Sequence, residues 1–314
     1  MPVPFITGET TASVQEALGL LSGSLKGMEE TETERIYEVM NRVVHGSCAA
    51  ECGLDAALWE IAGKRAGPPL CRLQGEYRYS IPDSFTVDIG EADEVVRFTR
   101  EFIYSGLNAV KVKPGRGLSE DYERVKKAGQ MAGEDATIYV GFSQSYSAKR
   151  AGELPPSMHT LGIEFFERPT PAHDIAGLKF ATDHSDIPVM ADEAAYGPED
   201  TMKTVKHEAA DIINLELMNA GGITMGRKVI EMVEAAGPPA MTVCTAETEI
   251  AATAGAHPAS GMRNPRYAEP DGCSSLVRNG TSGIECTFHC FGHVHRRALV
   301  VMRRCRREIG KGML

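Results

Sequence analysis

From Ser80 onward the chain repeats one pattern: a short apolar run, a loop, an amphipathic helical segment, then the next apolar run. The runs fall at 84–89, 109–113, 137–141, 163–167, 188–192, 211–215 and 240–243, with an eighth near 266–268. Segments such as 92–104, 120–131 and 222–236 lie between them and carry apolar residues at helical spacing. A period of roughly 25 residues is what one strand plus one return helix occupies when the crossover is short. Parallel strands joined this way are covered on both faces, so they read as nearly unbroken apolar runs. Seven such units and an eighth strand predict an α/β fold, a TIM-type (β/α)7β barrel. An open doubly wound sheet is the competing arrangement. No Gly-x-Gly-x-x-Gly follows the first run to support a dinucleotide site there, and Gly115 with Gly117 alone means little.

Ahead of the repeat, residues 8–65 read as helical. Helical spacing runs over 10–21 and 34–44, the latter ended by His45-Gly46, and again over 49–63 with Leu58, Trp59 and Ile61 on one side. Gly67-Pro68-Pro69 stops the third helix. The organisation expected is a helical cap over 1–75, a barrel over 76–285 and an atypical basic tail over 286–314.

A formal charge of −10 argues against nucleic-acid or anionic-membrane partners. No apolar run approaches the length of a membrane span, and Met1-Pro2-Val3-Pro4-Phe5 lacks the regions of a secretion signal. Five of the eight cysteines (Cys48, Cys52, Cys71, Cys244 and Cys273) are scattered through apolar or helical contexts, as expected of reduced thiols in a cytoplasmic protein. Cys48 and Cys52 share a helical face, but with no second pair nearby they read as packing rather than a metal pair.

Two of the apolar runs stop abruptly at a carboxylate: Glu167 in Ile163-Glu-Phe-Phe-Glu167-Arg-Pro and Asp192 in Ile187-Pro-Val-Met-Ala-Asp192-Glu. At the carboxyl tip of a barrel strand such a group points into the mouth, and two on successive tips suit a hard cation such as Mg²⁺. Two helix-capping acids would leave the same trace. Lys111 and Lys113 alternate with valines and so share one strand face, the interior of an all-parallel barrel. Burying an ammonium is costly unless it is paired or has a task. A neighbouring like charge and partial burial both favour the neutral amine, the form in which lysine acts as a base. A lysine base beside carboxylate-held Mg²⁺ suits removal of a proton α to a carboxylate, with the metal stabilising the enediolate.

Lys111-x-Lys113 on the second barrel strand, Glu167-Arg168-Pro169 closing the fourth and Ala191-Asp192-Glu193 closing the fifth resemble the enolase superfamily, in its muconate-lactonizing subgroup. Residues 5–10, 57–64, 214–222 and 247–252 narrow the likeness to dipeptide epimerases of the L-Ala-D/L-Glu type. The resemblance spans roughly residues 1–285, and its combination of motifs is more specific than any one of them. It implies Lys113 as general acid/base, Lys111 as its electrostatic neighbour, and Glu167 and Asp192 as Mg²⁺ ligands. It also implies that Glu269 and Asp271 bind the free ammonium of a small dipeptide or other carboxylate substrate, with Ser84 and Thr86 at the mouth of the first strand touching substrate.

Three departures from the family pattern stand beside these matches. The third-strand tip, where the family supplies its first metal carboxylate in an Asp-x-Asn, reads Gly141-Phe142-Ser143-Gln144 here, so a weakened Mg²⁺ site is expected. Glu216 stands on the sixth strand where the family has a second lysine. It reads as one half of a salt bridge in a vacated site or, alternatively, as a rewired catalytic acid or added cation ligand. The cap, by the same resemblance, lacks most of its antiparallel sheet and its specificity loop, so a partial, N-terminally truncated helical capping domain is expected. That leaves apolar faces to cover and homo-oligomer formation open. Beyond 283 the likeness fades into a Cys286/His289/Cys290/His293/His295 cluster and an arginine run. The cluster lacks a Cys-x₂-Cys knuckle, which argues against zinc. The function the resemblance implies is dipeptide epimerisation through a Mg²⁺-stabilised enediolate, in an impaired form if the replaced residues matter; the alternatives are a pseudoenzyme, or a one-base dehydratase or cycloisomerase.

Overall fold

The computed structural model describes residues 4–79, 84–104, 109–133, 136–153, 156–243 and 248–269. Eight strands form one sheet in chain order: β1 (Phe85–Val87), β2 (Ala109–Val112), β3 (Thr137–Gly141), β4 (Ile163–Glu167), β5 (Val189–Ala191), β6 (Ile212–Glu216), β7 (Ala240–Val243) and β8 (Pro265–Glu269). Every neighbouring pair is parallel. The strand order never reverses, as it would in a doubly wound sheet. Thr86 Oγ1 on β1 donates to Glu269 Oε1 on β8 at 2.6 Å, so the first and last strands meet and the sheet rolls into a barrel. Strand ends differ from expectation by one or two residues. β2 stops at Val112, although the Lys113 amide still donates to Val87 O at 3.0 Å.

Side-chain alternation explains how this barrel holds both a core and a site. Ala109, Tyr139, Phe165, Met190, Ile212 and Met241 point inward and form an apolar floor, with Tyr267 packed against it. Tyr139 and Phe165 stack with centroids 4.2 Å apart, and Tyr267 meets Phe165 edge-on at 5.3 Å. Burying a ring such as Phe165 contributes about 1.5–3 kcal/mol. Outward-facing Val110, Val112, Val140 and Phe166 pack under the helices on one side, and Ile213 with Leu215 on the other. Two residues beyond the floor, on the same faces, the side chains change character: Lys111, Gly141, Glu167, Asp192, Asn214 and Glu269. The mouth of the barrel is therefore polar, and it sits on a dry base.

Helices Thr11–Ser24, Thr33–Val43 and Cys48–Ala66 build a separate apolar cluster around Leu21, Ile36, Tyr37 and Met40. They seat on the loop that follows β6. Asp55 accepts from Thr224 Oγ1 at 2.6 Å and Thr224 N at 3.0 Å, Trp59 Nε1 donates to Thr224 Oγ1 at 2.9 Å, and the Tyr37 hydroxyl donates to Gly221 O. Gly222 has φ +122°, and a Cβ there would come within 2.5 Å of Asp55 Oδ2, so the close helix-to-loop approach requires glycine. Cys48 and Cys71 are free thiols; burial pushes the Cys48 thiol up to about 11, and Cys52 packs against the barrel-side core. Packing at Cys52 is the role expected of that residue.

His257, in helix Glu249–Gly261, is buried, and its Nδ1 accepts from the Cys71 amide at 3.0 Å. Burial pulls its pKa down to about 4. Between pH 6.5 and 4 the unfolded chain takes a proton that the folded chain refuses, so stability is complete above 6.5 and is lost as pH falls through that window. A His257→Gln variant, whose side chain has nothing to titrate, is expected to flatten this acid slope by up to about 3 kcal/mol. Urea unfolding at pH 7, 5.5 and 4.5 checks it; parallel pH profiles for the two proteins would remove the assignment.

Candidate active site

Glu167 closes β4, and Asp192 follows β5 directly. Asp192 precedes the short 3₁₀ turn Glu193–Ala195 but makes no side-chain capping bond to it, which sets aside the helix-cap reading for that residue. Asn214 Nδ2 stands between the two acids, 3.2 Å from Glu167 Oε1 and 3.2 Å from Asp192 Oδ1. Arg168, with φ +45°, brings its guanidinium against Glu193 and to 3.5 Å from Asp192 Oδ2. Burial, then the neighbouring Glu167 carboxylate, push Asp192 up to about 6. Burial also pushes Glu167 upward, but Lys111, with Arg168 and Lys113 beyond it, overcomes this and holds it below the usual carboxylate range.

The two lysines have different surroundings. Lys111 is buried, with Nζ 2.7 Å from Glu167 Oε2, 3.0 Å from Glu167 Oε1 and 2.8 Å from Glu269 Oε2. Burial pulls its pKa down, yet the two carboxylates outweigh this and hold it well above the ordinary lysine value. The expectation of a neutral amine is therefore corrected for Lys111: opposite charges at ion-pair distance decide, not the like-charged neighbour. Lys113 stands higher in the mouth, about a third exposed, and its ion pair among the described residues is with Asp88 at 3.8 Å. Its charge is felt at Glu167.

The backbone at Lys113 is held by residues that sequence reasoning passed over. Arg124 Nη2 donates to Lys113 O at 3.0 Å. Asp121, fully buried, accepts from the amides of Gly115, Arg116 and Gly117 and from the Tyr146 hydroxyl, and so fastens the loop leaving β2. The available signal was an acid in the first turn of a helix four residues after Gly117. For Asn214 the signal was its place two residues beyond inward-facing Ile212. Tyr196 was also missed; its hydroxyl donates to Ile6 O at 2.8 Å, tying the N-terminal segment to the mouth.

The remaining expected residues fall as follows. Glu216 is buried at the tip of β6 and accepts from Asn219 Nδ2 at 2.8 Å. Glu269 is buried at the tip of β8 and is engaged by Thr86 and Lys111. Thr86 thus reaches the site through Glu269. Ser84 is a correction: it precedes β1, at the amino end of the barrel, opposite the mouth. Asp271 and the cluster at 286–295 lie outside the described residues. Gly141, opposite Glu167 in register, brings no side-chain ligand, and among the described residues no group of three His, Cys, Asp or Glu side chains could hold a metal ion. Glu167 and Asp192 alone do not complete a Mg²⁺ site.

Residues 94–295 match the enolase C-terminal domain-like model, and residues 5–75 match the mandelate racemase / muconate lactonizing enzyme N-terminal domain. The chain belongs to the enolase superfamily. It is 32% identical over 283 residues to the hydrophobic dipeptide epimerase of Enterococcus faecalis, covering 90% of this chain and 80% of that relative. To the L-Ala-D/L-Glu epimerase of Bacillus subtilis it is 30% identical over 267 residues, 84% of this chain and 73% of the relative. The Enterococcus faecalis dipeptide epimerase solved with Mg and L-Leu-L-Tyr superposes with a TM-score of 0.85 at 32% identity, covering 86% of this superfamily member and 77% of that chain.

Proposed function

We propose that this enolase-superfamily chain removes the α-proton of a small carboxylate substrate, of the dipeptide class, with Lys113 as the base. The observation that carries this reading is the division between the lysines: Lys111 is committed to Glu167 and Glu269, whereas Lys113 stands in the open part of the mouth. An amine there reaches substrate from one side. Glu216, at the tip of β6, is the group for the other face. A carboxyl group is a weaker base than an amine, so exchange of the α-proton is expected to outpace inversion. The relatives named above are epimerases of dipeptides, which supports an isomerase acting on a dipeptide, and Mg²⁺ accompanies the solved relative. Here Glu167 and Asp192 are the residues that would face such an ion. The free thiols support a reducing, cytoplasmic setting; among the described residues no helix is long and apolar enough to cross a membrane.

The test is incubation of Ala-Glu and Leu-Tyr dipeptides in D₂O with millimolar Mg²⁺. α-Deuterium is expected in the C-terminal residue before the epimer accumulates. Absence of deuterium from every dipeptide tried would leave the second reading, a barrel of this family that turns nothing over. That reading is favoured by one observation, the Lys111 ammonium lodged on Glu167.

A further inference from the structure

Three successive strand tips, those of β3, β4 and β5, converge where a divalent ion would need ligands, and the first of them is Gly141. A Cβ at Gly141 would come within 2.7 Å of Lys111 Cε and 2.8 Å of Glu167 Oε2. The space a side chain would fill on β3 is thus taken by the Lys111 stem and the Glu167 carboxylate. The ammonium at the end of that stem touches both oxygens of Glu167 and one of Glu269. Thr86 donates to the remaining oxygen, Glu269 Oε1, and Asn214 donates to Glu167 Oε1 beside the ammonium.

We propose that the Lys111 ammonium is the resident cation of this barrel mouth, admitted by the missing side chain at Gly141, and that it excludes a divalent metal from Glu167. One unit charge, already desolvated and tethered, replaces a free ion that would otherwise be drawn from solution. Residue 141 then acts twice. A carboxylate side chain there forces the Lys111 stem to shift away from Glu167 and also adds the third anionic ligand. The proposal concerns occupancy and does not depend on turnover.

The test therefore reads binding: calorimetry with MgCl₂, and Mn²⁺ titration followed by paramagnetic resonance, on the whole chain. The unaltered protein is expected to show no Mg²⁺ binding below millimolar concentration. Gly141→Asp is expected to bind at least about 100-fold more tightly, because ligand charge and number set affinity. Lys111→Met, with Gly141 retained, is expected to gain binding by a smaller factor, since only the competitor is removed. Submillimolar Mg²⁺ binding by the unaltered protein overturns the proposal without recourse to a variant. So does a Gly141→Asp protein that folds, by circular dichroism, and gains nothing. A dead exchange assay with these binding results intact would sink the catalytic reading alone.

Discussion

Exchange of the substrate α-proton is expected to fall by about 10³-fold in a Lys113→Ala variant, with the fold unaffected. The two halves of that expectation have separate causes. Lys113 is partly exposed, and its ion pair is long and reaches an Asp88 that is itself almost fully exposed. Such pairs contribute roughly 0–1 kcal/mol, so thermal unfolding should barely move. The backbone at 113 stays in place because Arg124 holds its carbonyl and Asp121 clasps the loop beyond it, neither of which involves the lysine side chain. What is lost is the amine. A Lys113→Arg variant separates base from charge, because guanidinium keeps the cation and does not deprotonate in proteins. If Lys113 takes the proton, Lys113→Arg should be as inactive as Lys113→Ala. Retained exchange in the arginine variant would make residue 113 an electrostatic partner and move the base elsewhere.

The barrel was legible in the chain because the spacing of apolar runs is a direct consequence of one strand plus one return helix. Charged inward tips were legible too, since a charged residue ending a buried run has one place to go: Glu167, Asp192 and Lys111 all sit in the mouth. Strand limits were less accurate where the pattern continued past the hydrogen bonds, as at 84–89 against Phe85–Val87. Ser84 was misplaced for a different reason: it opens its run, and direction along a strand decides whether a residue lies at the mouth or the base.

The state of Lys111 was not legible. Neighbouring Lys113 is visible in sequence and argues for a neutral amine, while Glu167 and Glu269 lie 56 and 158 residues away in the chain. Ion pairs of that kind are set by the closure of the barrel, which local pattern does not report. Gly141 was read only as a position without a side-chain ligand. That its empty Cβ position admits another residue's stem depends on packing across two strands. Asn214 carries no charge and Asp121 looked like an ordinary helix-start acid, so neither drew notice.

Lys111→Met is expected to destabilise the folded chain by about 3–5 kcal/mol in the absence of metal, the cost of leaving buried carboxylates without their counter-charge. The substitution is nearly matched in volume, so packing loss contributes little. Glu167 and Glu269 are both buried, and the ammonium touches each of them. The cost should vanish when the charges go together. In Lys111→Met/Glu167→Gln/Glu269→Gln the amide oxygens still accept from Asn214 and Thr86, and buried ion clusters replaced as a set are often neutral or stabilising. Urea denaturation of the single and triple variants therefore yields a coupling energy of several kcal/mol if the cluster is held by charge. Equal destabilisation in both would mean that Lys111 contributes through its methylene stem over Gly141, and that the carboxylates fold well without it.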